Sequence, residues 1–134
     1  MAALTKDRDT QRKQDPDLVS FPVKAATTIY AGSLVVNDAG VAAPGRAATT
    51  LKALGRAEHY VANPGAAGAE KVTVRRGIFR FANSSAGDLI ALSDVGNNCY
   101  IVDDQTVAKT DGSSARSIAG VIRDVDAQGV WVEI

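Results

Sequence analysis

The sequence contains very little of what catalytic and metal sites usually need. It has one cysteine, Cys99, and one histidine, His59, so an internal disulfide is excluded and only a single Cys-His pair is possible. No catalytic signature flanks either residue, and no glycine-rich stretch has the lysine and hydroxyl residue of a phosphate-binding loop. We therefore expect no catalytic residue, no bound metal, no cofactor and no enzymatic activity.

The chain also lacks an excess of either charge. Fifteen Lys and Arg balance fifteen Asp and Glu, so there is no overall basic field of the kind that concentrates nucleic acid or an anionic membrane around a protein. No apolar run approaches the length of a membrane span, and the first residues contain no apolar signal core. We expect no nucleic-acid partner, no membrane partner and synthesis in the cytoplasm.

Residues 1–17 differ in composition from the rest of the chain. From residue 5 onward this segment has no large apolar side chain, and its basic and acidic residues alternate in mixed order. We predict an extended charged N-terminal arm over residues 1–17, in front of one β domain over residues 18–134. Two interpretations of the arm stay open, a strap that docks along another protein surface and a solvated, frayed terminus. The first assigns binding to four basic residues, Lys6, Arg8, Arg12 and Lys13.

The remaining sequence is typical of strands and turns. Apolar and polar residues alternate in residues 70–75 and again in residues 130–134. The apolar parity changes after the Arg-Gly pair at 76–77, which predicts either a β-bulge there or a strand covered on both faces. The other predicted strands are residues 19–25, 34–37, 51–57, 99–102 and 118–125.

Proline and glycine punctuate the two stretches that do not alternate. Residues 41–57 are alanine-rich but contain Pro44, Gly45 and Gly55, so at most a turn or two of helix is expected there. Residues 63–69 combine a Pro-Gly turn with small residues and predict a loop. The expected fold class is all-β, a compact antiparallel barrel or sandwich.

A short phrase occurs twice, as AGSLV at residues 31–35 and as AGDLI at residues 86–90. Each copy is followed by a glycine-containing turn and by an apolar stretch that contains a glycine. Self-similarity of this kind is typical of a structural unit that is used twice. We expect an internal pseudo-repeat in which Gly32 and Gly87 occupy equivalent turns before strands of two similar halves.

The C-terminal half contains one cluster of basic and aromatic residues. Arg75, Arg76 and Arg80 lie close to two phenylalanines. This pattern fits a base-stacking platform, but it also fits a strand whose polar face carries arginine while its aromatics enter the core, which is the interpretation we favour. Trp131, the single tryptophan, either anchors an interface or closes the core. These four residues form the predicted interface candidates.

The order of these motifs resembles that of the capsid cement, or head decoration, proteins of tailed bacteriophages. The resemblance covers residues 27–134 and rests on short motifs: AGSLV at 31–35, GVA at 40–42, GIF at 77–79, AGDLI at 86–90, IAGVI at 118–122 and VWVEI at 130–134. The longer charged arm and the loop at 63–69 depart from the simplest members of that family.

The resemblance implies a structural virion protein that binds the outside of an icosahedral capsid. Such a protein is made in the cytoplasm of the host bacterium, bridges major capsid proteins on the virion surface, stabilises the shell and forms homo-oligomers, with a trimer favoured and a dimer possible. Two other classes remain as alternatives. One is a phage-associated β binding module for a glycan or tail partner, and the other is a small β-barrel enzyme.

Overall fold

Antiparallel β-sheets build the protein, as the sequence predicts. The computed structural model describes residues 2–134, so Met1 of the predicted arm lies outside the described residues. The helical segments of the described part are two 3-10 turns, Ala86–Asp88 and Leu92–Asp94. The strands are β1 Leu18–Pro22, β2 Thr27–Ile29, β3 Leu34–Asp38, β4 Val41–Pro44, β5 Lys52–Ala57, β6 Val61–Asn63, β7 Lys71–Arg75, β8 Ile78–Phe81, β9 Asn98–Ile101, β10 Val107–Ala108, β11 Ile118–Asp126 and β12 Gly129–Glu133.

The strands form two five-stranded sheets and one two-stranded sheet. The first sheet has the order β1-β7-β5-β3-β4, the second has the order β10-β9-β11-β12-β8, and β2 pairs with β6. Every strand pairing is antiparallel. Neither five-stranded sheet closes into a barrel within residues 2–134. Residues 41–57, where a short helix was allowed, contain β4 and β5 instead.

Two buried clusters hold the sheets together, and β3 contributes to both. Leu34 and Val36 point into the first cluster, which they share with buried residues of β8, β9, β11 and β12 in the second sheet. Val35 points the opposite way and joins Val72 and Val74 of β7 in the second cluster, against β2 and β6. Successive side chains of a strand alternate between its faces, so a continuous apolar run is what a strand buried on both faces requires.

The parity change near Arg76 has a cause that the sequence did not suggest. β7 ends at Arg75 in the first sheet and β8 begins at Ile78 in the second sheet. The predicted bulge and the predicted double coverage of one continuous strand are therefore both wrong. The chain crosses from one sheet to the other through Gly77. The alternation of inward and outward side chains therefore begins anew in the second sheet.

The two copies of the repeated phrase form turns of different backbone conformation and also continue differently. In the first copy the glycine, Gly32, has a positive φ of 87°, whereas in the second copy the alanine, Ala86, has a positive φ of 54°. A backbone hydrogen bond of 3.2 Å closes the turn around Gly32, and β3 follows at once. A bond of 3.1 Å closes the turn around Gly87, but this turn belongs to a 3-10 segment and a second 3-10 segment precedes β9. Gly32 therefore precedes a strand directly, and Gly87 does not.

A closer correspondence between the two sheets lies further along the chain. The first sheet contains the order β5-β3-β4 and the second contains β11-β9-β10. The pairing of the first two strands in each trio, β5-β3 or β11-β9, has a register shift, and Gly55 in β5 and Gly120 in β11 lie beside it. A Cβ atom at either glycine would collide with a carbonyl oxygen of the neighbouring strand, that of Arg75 or that of Glu133. Only glycine permits so close an approach of two backbones.

Candidate interaction site

The predicted arm is exposed along all of its described length. Residues 2–17 contain no strand and no buried residue. Its root is fixed, because the Arg76 N–H donates to the carbonyl of Asp17 at 2.7 Å and β1 follows as an edge strand. Among residues 2–134 no carboxylate lies within 4.0 Å of the four basic side chains assigned to binding, which are Lys6, Arg8, Arg12 and Lys13.

Arg75 takes part in a small ionic cluster at the end of β7. Glu58 lies between two arginines, with its carboxylate 2.7 Å from Arg56 and 3.5 Å from Arg75. The hydrogen bond from Arg56, assisted by Arg75, lowers the pKa of Glu58 below its usual value. Arg75 therefore shares one carboxylate with Arg56, while Arg76, exposed in the connection to β8, has no carboxylate within 4.0 Å in the described part of the chain.

Arg80 and Trp131 meet across neighbouring strands, on the outward face of the second sheet. They are register partners in the β8-β12 pairing, and the guanidinium carbon of Arg80 lies 5.6 Å from the centre of the indole ring. The indole N–H donates to Asp126 at 2.9 Å, which lowers the pKa of that carboxyl group. Trp131 is half-buried and lies outside both apolar clusters. Its predicted alternative role in closing the core is wrong.

A groove of about 390 Å³ runs beside these residues. Its lining includes Phe79 and exposed Ile78 of β8, together with Arg56, whose guanidinium carbon lies 4.4 Å above the Phe79 ring. Sequence reasoning missed Arg56 and Ile78. Arg56 lies on a distant strand of the other sheet, and no local pattern places it over Phe79. The alternation of residues 78–81 was the one available signal for Ile78, because it sets Ile78 on the face opposite the two phenylalanines.

Cys99 and His59 do not form a catalytic pair. The Cys99 thiol is buried, its hydrogen bond goes to the carbonyl of Gly120, and burial raises its pKa to about 12. The exposed His59 ring uses both nitrogens on backbone groups. Its Nε2 accepts the Thr73 N–H at 3.1 Å, which leaves Nδ1 to donate to the Tyr60 carbonyl at 3.1 Å. Among residues 2–134 no group of three or more His, Cys, Asp or Glu is placed to hold a metal ion.

A depression of about 620 Å³ is lined by residues of loops and strands and by structural polar groups. Its hydroxyl, Ser117, donates to the carbonyl of Ala48 and accepts the N–H of Leu51. Its arginine, Arg116, donates to Asp88 at 3.2 Å. Both side chains hold loops in place, so neither is free to act as a nucleophile or as an anion ligand.

The described residues contain no helix that is long and apolar enough to cross a membrane. Comparisons of the chain with protein-family models, with curated proteins and with solved structures found no match.

Proposed function

We propose that this chain is a structural virion protein of a tailed bacteriophage. In this proposal it binds the outside of the icosahedral capsid, bridges major capsid proteins and stabilises the shell. The observation that carries the proposal is the arm, an exposed segment whose basic side chains find no ionic partner in the described chain, attached to a β body at the edge strand β1. Extended, such an arm reaches on the order of 55 Å, enough to cross a neighbouring subunit.

The chemistry of the arm favours a protein surface with charges of both signs as its target. Its basic and acidic side chains are interspersed, so complementary pairs on another protein satisfy it better than a uniform array of phosphates does. Each exposed pair contributes little. Many copies on one shell, each engaging more than one subunit, gain stability from effective concentration instead.

The β body suits a structural role without catalysis. We infer that the two five-stranded sheets form a sandwich around the shared apolar cluster. We also infer that the common strand order, with Gly55 and Gly120 at matching register shifts, reflects an internal pseudo-repeat. The proposed protein is not an enzyme, because Cys99 and His59 are committed to structural contacts. It self-associates, with a trimer favoured and a dimer possible, because an oligomer engages several capsid subunits at once.

A second candidate is a phage-associated β binding module for a glycan or a tail partner. The aromatic groove beside Arg80 and Trp131 favours it, because aromatic and arginine side chains are enriched in binding hot spots. In that case Trp131→Ala would abolish binding to the partner and the arm would be dispensable. The decoration function predicts the reverse for capsid binding, in which changes to the arm weaken binding more than Trp131→Ala does.

Co-sedimentation with mature shells made without the protein tests the proposal. Wild-type protein should pellet with the shells, and the triple reversal of Arg8, Arg12 and Lys13 to glutamate should bind more weakly, with a loss that depends on salt. The matched control reverses Asp7, Asp9 and Asp15 to lysine, which changes the arm's charge by the same amount in the opposite direction. Absence of wild-type binding to shells of its own phage would refute the proposal.

A further inference from the structure

The outer edge of β8 carries backbone groups with no partner in the described chain. Ile134 N–H donates to the Gly77 carbonyl at 2.9 Å. Along an antiparallel ladder, hydrogen-bonded residue pairs alternate with non-hydrogen-bonded pairs. Phe79 therefore also exchanges its hydrogen bonds with β12, whereas the N–H and C=O groups of Ile78 and Arg80 point away from β12. No strand lies on that side, and no turn or loop hydrogen bond within residues 2–134 uses these groups.

Both ends of this open edge are closed by the rest of the fold. At one end, the Ala82 N–H donates to the Gln105 carbonyl at 2.8 Å, and the Ala82 carbonyl accepts the Val107 N–H at 3.0 Å. At the other end, the Arg76 N–H donates to Asp17. The open stretch is therefore residues 77–81, the length of a short strand. Its two free donors and two free acceptors alternate as they do along a β-ladder.

The β8 edge lacks the proline that blocks pairing at the edge of the first sheet. The open edge of the first sheet, β1, contains Pro22, which has no N–H to donate. β8 contains no proline and exposes Ile78, 49% of whose surface is accessible, next to the 390 Å³ groove. An added strand would cover this side chain and fill the groove.

The charge along the edge is positive. Arg76 has no carboxylate within 4.0 Å among the described residues. The guanidinium of Arg80 donates to the amide oxygen of Gln128 at 3.1 Å, and it forms no ion pair within residues 2–134. Asp126 is nearby, but its carboxylate already accepts the indole N–H and two backbone N–H groups. Two arginines flanking an unpaired backbone favour an acidic peptide.

We propose that the β8 edge binds an extended acidic peptide segment of a partner protein by β-strand addition. The partner's backbone pairs with Ile78 and Arg80, its apolar side chains cover Ile78, and its carboxylates contact Arg76 and Arg80. A nucleic-acid backbone fits the edge less well, because phosphate offers acceptors only and leaves the two carbonyl groups without donors. This inference is independent of the decoration function, since it requires no capsid.

Amide NMR of the ¹⁵N-labelled full chain tests the inference. The probe is a blocked peptide of sequence Thr-Asp-Thr-Val-Thr-Asp-Thr, which as a strand carries the valine between two aspartates on one face, and the matched probe replaces each aspartate with lysine. We expect the acidic probe to shift the Ile78 and Arg80 amides and to slow their hydrogen exchange, and the lysine probe to bind at least about fivefold more weakly. Raising the salt concentration should weaken binding of the acidic probe.

Two edge substitutions separate strand addition from nonspecific charge attraction. Ile78→Pro removes an N–H that β12 does not use and should weaken binding of the acidic probe by about tenfold. Ser20→Pro places the same residue at an outward position of the β1 edge and should leave binding unchanged. If either proline variant unfolds, Arg80→Glu together with Arg76→Glu, checked by circular dichroism, replaces it and should weaken binding by at least about fivefold.

Three results would overturn the inference. One is the absence of any change at the Ile78 and Arg80 amides at millimolar peptide. Another is equal binding by the acidic and lysine probes. The third is displacement of the acidic probe by a single-stranded oligonucleotide that protects the same amides more strongly, which would assign the edge to nucleic acid.

Discussion

At the scale of single residues, the space around each glycine decides whether it can be replaced. Gly120 has no room for a side chain, because an added Cβ would lie 2.9 Å from Val132 Cγ1 and would collide with the carbonyl of Glu133. Gly87, in the second copy of the repeated phrase, has open space around it. Both positions are glycine in the sequence, but the energetic consequences of replacing them differ.

Gly120→Ala should therefore destabilise the protein strongly. We expect a loss of about 2–4 kcal/mol in the free energy of unfolding, because β11 and β12 must separate to accept the methyl group. Urea denaturation followed by tryptophan fluorescence measures it. Gly87→Ala is the matched control and should change stability by less than about 0.5 kcal/mol. Equal losses in both variants would contradict the close approach of β11 and β12.

The Glu58 cluster gives stability a defined dependence on pH. The folded state lowers the pKa of Glu58, through Arg56 and then Arg75, so its contribution is complete above the unfolded-state pKa and is lost as pH falls through the folded value. Glu58→Gln should have a lower melting temperature than wild type at pH 7. The difference in melting temperature should disappear as pH falls below about 4.5.

Thermal melts from pH 7 to pH 3 check this prediction. Glu70→Gln is the control, because Glu70 belongs to no ion pair in the described part of the chain, and it should differ little from wild type throughout. A gap for Glu58→Gln that widens toward low pH would contradict the sign of the effect.

Residue patterns predicted some of the candidate site and missed the rest for a physical reason. They identified Arg80 and Trp131, which the β8-β12 pairing brings together, since both lie on strands with clear alternation. They grouped Arg75 with these residues, although it forms an ion pair with Glu58 at the end of β7. They missed Arg56, because its position over Phe79 depends on how the two sheets pack. Local alternation contains no information about that packing.

At the scale of elements, long alternating or apolar segments were predictable and short pairings were not. The predictions at 34–37, 99–102 and 118–125 correspond to β3, β9 and β11. The strands β2 and β6 have three residues each and pair only with one another. Segments this short contain too few side chains to show a period, and their pairing depends on the first sheet that they cover.

The arm makes a prediction at the same scale. Deleting residues 1–14 keeps the carbonyls of Asp15 and Asp17 that accept the N–H groups of Leu18 and Arg76. The melting temperature of the isolated protein should change by less than about 2 °C, because exposed termini contribute little to stability. Deleting residues 1–17 also removes the acceptor for the Arg76 N–H and should cost about 1 kcal/mol more.

Differential scanning calorimetry distinguishes the two deletions. Equal losses would mean that the anchor at Asp17 is unimportant. A large loss in the shorter deletion would mean that the arm packs on its own domain, which would contradict the proposal that it is a strap for another protein.

At the scale of the whole molecule, the core, the arm and the open edge lie in separate parts. The two apolar clusters fill the β body, the arm extends from one edge of the first sheet, and the open β8 edge belongs to the second sheet. The all-β class followed from the sequence, because strand periodicity and turn residues are local signals. The crossing between sheets at Gly77 did not, since it is set by contacts between distant segments.

We propose that this protein stabilises a phage shell, and the temperature at which the shell ruptures measures that stabilisation directly. Mature shells made without the protein should be heated with increasing amounts of it, and DNA release should be followed by dye fluorescence. We expect the rupture temperature to rise and then saturate, because a ligand that binds only the intact shell stabilises it. The variant with Arg8, Arg12 and Lys13 reversed to glutamate should need higher concentrations to give the same rise in rupture temperature. An unchanged rupture temperature at saturating wild-type protein would contradict the claim.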